Sequence, residues 1–398
     1  MTTAFIICPT YRNPNKTNIT RLFGPVMLLE QMKQQDYDGT IKIAIIDSSP
    51  TPHPFFAALP SNSTDNFIYL HLPDRNDIDH DTLKKFPQAM SFIPDDDALK
   101  LPVWQQQVNE CVAWDNIFPY WSEGYPYPTT IAQQIAAARP TIGMKRNAAI
   151  AALAETYGPA NAIVYADDDD LRDDSYIREL VNNLESPLSF TRVLKQLVYI
   201  SKDSQAKWGL YDVDLECDAN GNWLPPKETK HIKLKNLDPN YKSTIGEELS
   251  EIKCLAFPPI GFQGATHAYS FGLWEKAVKE FGGVPITSMS EDTLFYLNCK
   301  NHFGKGFSTT KTVPKQVNFV RICDGANASV VQWTDDLQPT QVPKWAIDAV
   351  RPIENAMYFA NFDAPSYFRN LAHRYLQTGK ILWSGNNYGT PKLTLNFN

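Results

Sequence analysis

The 398-residue chain has no run of about 18 consecutive apolar residues, which excludes a helical membrane span. It also lacks a charged start followed by a long apolar stretch. Met1-Thr2-Thr3 leads straight into Ala4-Phe5-Ile6-Ile7-Cys8, so no signal peptide is expected. The six cysteines (Cys8, Cys111, Cys217, Cys254, Cys299 and Cys323) stand singly. With no Cys-x-x-Cys pair, neither a structural zinc site nor a dithiol redox centre is expected, and free thiols suit a cytoplasmic location. Without a secretory start, the sequons Asn18-Ile19-Thr20 and Asn62-Ser63-Thr64 read as chance. Positive charge is not in excess either: 37 Lys and Arg face 44 Asp and Glu, for a net charge of −7. Such a chain has no global field for a nucleic acid or an anionic membrane. A local Lys cluster (Lys227, Lys230, Lys233, Lys235) leaves a modified nucleic acid as an outside possibility, with a solvated loop the plainer reading. No internal repeat is present.

What is present is enough apolar residue, 43% of the chain, to bury a large core. The length is roughly two to three times that of a usual domain, so one large domain with insertions, or two domains sharing a face, is expected. Proline is abundant, at 29 of 398, which points to many extended loops. Ala4 to Cys8 reads as a buried strand ending in the polar turn Pro9-Thr10-Tyr11-Arg12-Asn13-Pro14. Leu22, Val26, Leu29 and Met32 recur at helical spacing over about 21–35. Strands follow at 41–46 and 67–72, the first ending in Asp47. Strand, helix, strand in this order predicts a parallel α/β unit with a right-handed crossover.

Residues 74–140 read as an irregular insertion with short helices, rich in aromatic residues (Trp104, Trp114, Tyr120, Trp121, Tyr125, Tyr127). These rings could stack on sugars or form the insertion's own core. Asp95-Asp96-Asp97 within it reads as a solvated acidic turn. Regular elements return with an Ala-rich helix over 144–157, a strand over 162–166, a helix over 174–184 and one strand over 190–200. A second, polar insertion spans 203–253. Helices at 272–281, 291–301 and 365–377 complete the reading. The expected domain is 1–330 with these two insertions, followed by a C-terminal extension, 331–398, packed on it.

The strongest chemical signal is Asp167-Asp168-Asp169-Asp170 at the end of a buried strand. Four adjacent carboxylates repel one another and raise each other's pKa, so packing explains them poorly. In open α/β sheets ligands bind beyond the carboxyl ends of strands. Hard divalent cations want carboxylate oxygens, so a Mg²⁺ or Mn²⁺ site for a diphosphate is one reading. An acidic loop at the start of the next helix is the other.

Several segments then line up in order: Phe5-Ile6-Ile7-Cys8-Pro9-Thr10-Tyr11-Arg12, Ile45-Ile46-Asp47-Ser48-Ser49, Gly143-Met144-Lys145-Arg146-Asn147-Ala148-Ala149, Ile163-Val164-Tyr165-Ala166 with the four acids, and Ser290-Glu291-Asp292-Thr293-Leu294-Phe295 after Gly282-Gly283. Together these resemble family 2-like glycosyltransferases of the GT-A fold, over about residues 4–48, 143–190 and 255–330. The resemblance implies a GT-A-like, mostly parallel sheet flanked by helices. It implies a metal-dependent, inverting transfer of one sugar from a nucleotide-diphosphate sugar to the hydroxyl of a glycan, protein or other acceptor. Pro9, Thr10, Tyr11 and Arg12 would meet the nucleotide, Asp47 its base, and Lys145 or Arg146 the diphosphate or base. Asp169 would bind Mn²⁺ or Mg²⁺ directly. Asp167 would take the ribose or the metal through water, with Asp168 and Asp170 as alternates because the register is ambiguous by one.

Asp292 would be the general base and Glu291 its second choice, at a helix start whose dipole would keep both ionised. His267 and His302 are weaker candidates for acceptor or metal contacts, because a lone His is more often structural. Departures from the family pattern are a single acid at Asp47, Ala149 where Gly is frequent, no His near Cys323, and no Gln-x-x-Arg-Trp signature of processive synthases. A sugar nucleotidyltransferase would need a Gly-rich loop after the first strand, and none is there. A non-catalytic carbohydrate-binding protein would need neither the acidic run nor the Glu-Asp pair.

Overall fold

A computed structural model describes residues 2–12, 19–60, 66–117, 130–193, 195–202, 205–212, 266–288, 291–312, 318–323 and 363–383, with isolated positions between 345 and 352. The large sheet has seven strands: β1 (Thr3–Thr10), β2 (Thr40–Asp47), β3 (Phe67–His71), β4 (Ala162–Tyr165), β6 (Ser189–Val193), β9 (His267–Ser270) and β10 (Ser308–Thr312). Their spatial order is β10-β6-β9-β4-β1-β2-β3. All neighbours are parallel except β9, which runs antiparallel to both β4 and β6. This is the mostly parallel, helix-flanked α/β architecture of the expected GT-A-like class. A smaller sheet, β5-β11-β7-β8, is formed by β5 (Asp170–Arg172), β7 (Lys195–Lys202), β8 (Gln205–Asp212) and β11 (Phe319–Cys323).

The apolar runs have this form because β1 lies between parallel partners and is covered on both faces. Ala4, Ile6 and Cys8 point to one core, and Phe5 and Ile7 to the other. The first core is closed by α1 (Ile19–Lys33), the single turn α2 (Pro54–Ala57) and α8 (Tyr176–Val181). The second is closed by α4 (Pro87–Met90), which follows the surface turn α3 (His80–Lys85), by α5 (Pro102–Ile117) and α6 (Ile131–Ala136), and above all by α7 (Ile142–Tyr157). Ala148, Ala149, Ala151 and Ala152 of α7 are wholly buried, and small side chains let the helix lie close on the sheet. Gly143 is required for a close approach: a Cβ there would stand 1.8 Å from the Pro285 carbonyl oxygen. That contact brings the start of α7 beside the loop that leads from α9 (Phe271–Phe281) to α10 (Glu291–Phe303). Asn147 clamps the same loop, donating to Val284 O (2.8 Å) and accepting from Val284 N (3.0 Å) and Trp274 Nε1 (3.0 Å).

The C-terminal helix α11 (Ala364–Thr378) buries Tyr367, Phe368, Leu371, Ala372 and Tyr375 in the first core. Phe368 meets Phe23 of α1 and His53, with ring centroids 5.1 Å apart in each case.

Three expectations change. The single strand at 190–200 is two strands, β6 and β7, which belong to different sheets. A continuous β-rich run carries no sign of the point where the chain leaves one sheet for the next. The insertion at 74–140 holds a 16-residue helix, α5, which Pro102 opens; proline is tolerated in a first turn, so there it marks a start rather than a loop. Trp104, Gln107, Val108 and Cys111 form its inner stripe, and Trp104 packs against the second core of the large sheet. The segment after 203 begins with β8, and the Lys cluster beyond it lies outside the described residues, as do Tyr120, Trp121, Tyr125 and Tyr127. In the acidic turn, Asp96 pairs with the buried Arg75, while Asp95 and Asp97 bond locally to Ala98 N and Lys100. Among the described residues no helix is long and apolar enough to cross a membrane.

His53 is a structural weak point in acid. It is fully buried, its Nε2 bonds Leu22 O at 2.7 Å, and its Nδ1 accepts from Phe55 N at 3.1 Å. Burial, with Arg12 adding, pushes its pKa down to about 3. A depressed His pKa means that the folded state excludes the proton. Its contribution is therefore whole above about pH 6.5 and is lost as pH falls toward 3. Lowering the pH from about 6.5 to about 4.5 should cost roughly 2–3 kcal/mol through this group. Urea unfolding of the wild type and His53→Gln at both pH values checks it: the variant should lose less, and equal losses would refute the role.

Candidate active site

The four acids lie where the two sheets meet, in the link from β4 to β5. They do not act alike. Asp167, Asp169 and Asp170 each offer a carboxylate oxygen within 4.8 Å of the others. Asp168 turns inward, with no side-chain exposure, and its oxygens take the Thr10 hydroxyl and Arg21 Nη1. Arg21 Nη2 reaches Asp169 Oδ2 at 2.8 Å. Asp170 is 3.8 Å from Arg172. Burial raises the pKa of Asp168, against the pull of Arg21.

Beside it, the end of β2 forms a second cluster. Asp47 is fully buried: Oδ2 accepts from Arg12 Nη1 (3.0 Å) and Tyr69 OH (2.7 Å), and Oδ1 accepts from Ser49 N (2.9 Å) and the Ser49 hydroxyl. Burial alone would raise its pKa, but Arg12, Ser49 and Tyr69 outweigh it and hold the carboxyl below its usual range. Lys145 Nζ donates to Thr10 O and Ser48 Oγ, both at 3.0 Å, and burial brings its pKa down to about 8. Thr10 thus links the two clusters, its hydroxyl on Asp168 and its carbonyl on Lys145. Pro9 is buried within β1, and the Tyr11 ring lies under the Arg139 guanidinium at 4.1 Å.

The Glu-Asp pair at the start of α10 meets the acidic run through Arg146. Arg146 Nη2 lies 3.0 Å from Glu291 Oε1 and 3.3 Å from Asp167 Oδ1. Its guanidinium covers the Tyr165 ring at 3.7 Å, and its Nε and Nη1 are buried without a hydrogen-bond partner. Asp292 keeps one oxygen on Thr293 N at 2.7 Å.

The helix dipole is expected to keep both acids ionised, but burial works against it at both and more strongly at Glu291. Glu291 and Asp292 are 5% and 6% exposed, and burial raises both pKa values above the ordinary carboxylate range in spite of Arg146. Desolvation outweighs the few tenths of a kcal/mol that a dipole supplies.

Neither histidine joins the acids. His267 is buried in β9 between Phe190 (4.9 Å) and Tyr165 (6.3 Å), with its pKa far below 6.5 through burial. His302 is exposed beside Phe281. The residue that sequence reasoning passed over is Arg21. Its only cue was a cation in the first turn of a helix, where the dipole disfavours it.

No family model matches the chain, and no curated protein does. Among solved structures it is similar to S. aureus TarS at 12% identity and a TM-score of 0.34, covering 95% of this chain and 44% of that one. S. aureus TarS 1-349 in complex with UDP gives 11%, 0.33, and coverages of 95% and 72%. The same protein in complex with UDP-GlcNAc gives 11%, 0.31, and coverages of 95% and 73%. This chain thus spans less than half the length of the longest of these. Likenesses this shallow bear on neither the substrate nor the chemistry here.

The buried acids carry a measurable signature. Their raised pKa values mean that the folded state holds the protons more tightly, so stability falls as pH rises from about 4 toward neutrality. Asp292→Asn keeps the acceptor for Thr293 N and removes the charge. Thermal melts should show it more stable than the wild type by on the order of 1–2 kcal/mol at about pH 7.5, with the gap shrinking below about pH 6 and closing by about pH 4. A gap of equal size at both pH values would contradict the assignment.

Proposed function

We propose that the chain is a glycosyltransferase that moves one sugar from a nucleotide-diphosphate sugar to an acceptor hydroxyl, with inversion and with Mn²⁺ or Mg²⁺. The observation that carries this reading is Arg146, whose one Nη2 bonds both Asp167 of the acidic run and Glu291 of the Glu-Asp pair. Acids suited to a charged leaving group and acids suited to an acceptor then face one another across a single buried cation.

The donor set fits a hard cation: three carboxylate oxygens lie together, and Arg21 already meets one of these carboxylates, that of Asp169, as a positive group. Asp169 and Asp167 would hold it, with Asp170 as third. Such a cation neutralises charge that develops on a departing diphosphate. The remaining work falls to side chains. The two unpartnered groups of Arg146, Nε and Nη1, are donors for phosphate or sugar oxygens. Thr10, Tyr11, Arg12 and Asp47 line the nucleoside side, with Lys145 bracing Thr10 and Ser48.

Asp292 is the base. Its raised pKa brings it closer to neutral pH, where a carboxylate takes a proton most usefully as a bond forms. Glu291, tied to Arg146, orients the centre. The acceptor oxygen attacks the anomeric carbon on the face opposite the diphosphate, its proton passes to Asp292, and the nucleoside diphosphate leaves with the electron pair of the broken bond.

The reading is tested by incubating the protein with Mn²⁺ or Mg²⁺ and a panel of nucleotide sugars, and following slow release of nucleoside diphosphate. One donor should be hydrolysed. Asp169→Asn and Asp292→Asn should each lower the rate by about 100-fold or more, and EDTA should abolish it. No release from any donor, with no metal-dependent thermal shift by any nucleoside diphosphate, would leave a binding protein as the better account.

A further inference from the structure

Arg21 is a cation within the acidic run that the transfer reaction itself does not call for. It projects from the first turn of α1, its side chain 15% exposed, with one Nη on the buried Asp168 and the other 2.8 Å from Asp169 Oδ2. The approach of α1 is tight. A Cβ on Gly24, three residues on, would stand 1.5 Å from the Asp168 carbonyl oxygen, so the helix is pressed directly on the backbone of the run. Arg21 is thereby brought to these acids by packing. Asp169 also contributes an oxygen to the set with Asp167 and Asp170. It therefore borders two cation positions, one held by Arg21 and one facing its neighbours.

We propose that Arg21 is a positioning residue that acts as a resident counter-cation, holding Asp168 and Asp169 and weakening divalent-cation binding until a nucleoside diphosphate supplies further negative charge. This rests on the metal-assisted transfer reading above. A guanidinium and a divalent ion that share one carboxylate repel each other, and its single charge cannot satisfy both fully. A diphosphate beside them adds acceptors and charge, and the balance moves toward the metal. Cation and donor then load together rather than in sequence. Arginine suits the task because its rigid planar fork presents separate nitrogens to two carboxylates and its charge is permanent, whereas an ammonium is a compact point charge.

The test is Mn²⁺ binding to the full chain by calorimetry, first with Mn²⁺ alone and then with UDP, GDP, CDP or ADP present. Arg21→Gln should bind Mn²⁺ alone about ten-fold or more tightly than the wild type. Wild-type affinity should rise about ten-fold or more with one of the nucleotides, and that of the variant by less. Arg21→Lys keeps the charge and loses the fork, and should fall between. Because Arg21→Gln leaves Asp168 buried without its cation, melting temperatures are measured in parallel; if it fails to fold, Arg21→Lys carries the comparison. Equal Mn²⁺ affinity in the folded variants and the wild type, or tight binding by the wild type without nucleotide, would overturn the inference and leave the transfer reading standing. No Mn²⁺ binding by any form, with or without nucleotide, would remove both.

Discussion

Arg146 is 1% exposed, and the carboxylates of Asp167 and Glu291 share one of its nitrogens. An ion pair taken out of water loses several kcal/mol of solvation per group, which only close partners recover. A guanidinium does not deprotonate to escape that cost, so the acids must come to it. Three elements converge for this reason: the start of α7, the end of β4 that follows it in the chain, and the start of α10, which is remote from both. The close approach that Gly143 permits, and the clamp that Asn147 makes on the loop before α10, hold the geometry in which one nitrogen can serve both sides.

The same reasoning extends outward. Asp168 is compensated by Arg21 and Thr10, Asp47 by Arg12, Ser49 and Tyr69, and Asp170 lies near Arg172. Thr10, braced by Lys145, stands between the first two groups. The balance is incomplete at Glu291, Asp292 and Asp168, whose pKa values rise with burial. Charge held under such strain lowers the stability of the fold at neutral pH, a common price at sites built for chemistry. The C-terminal helix contributes indirectly. It packs on Phe23 of α1, two residues from Arg21, so the first core supports the acidic run from behind.

Much of the frame was legible in the chain. Apolar runs at 4–8, 41–46, 67–72 and 162–166 mark the all-parallel half of the large sheet, from β4 to the edge strand β3, because strands covered on both faces need no alternation. The helices at 142–157, 271–281, 291–303 and 364–378 lie within a few residues of their expected places. The acids, the Arg146 region and the Glu-Asp pair could be chosen by residue type and context. Helix α5 was hidden by its weak apolar stripe and by Pro102, and the break between β6 and β7 by a composition common to both strands.

Residue order alone determined that strands would alternate with helices and that four acids would follow a buried strand, since both depend on local periodicity and on charges adjacent in the chain. It could not determine which acid would turn inward, nor that the dipole at Glu291 and Asp292 would lose to desolvation. Those outcomes depend on what lies within a few ångströms in space. Arg21 comes from the helix after β1 and Arg146 from a helix more than a hundred residues later. Only the packed tertiary structure brings both to the end of β4 and excludes the water that would otherwise solvate the acids.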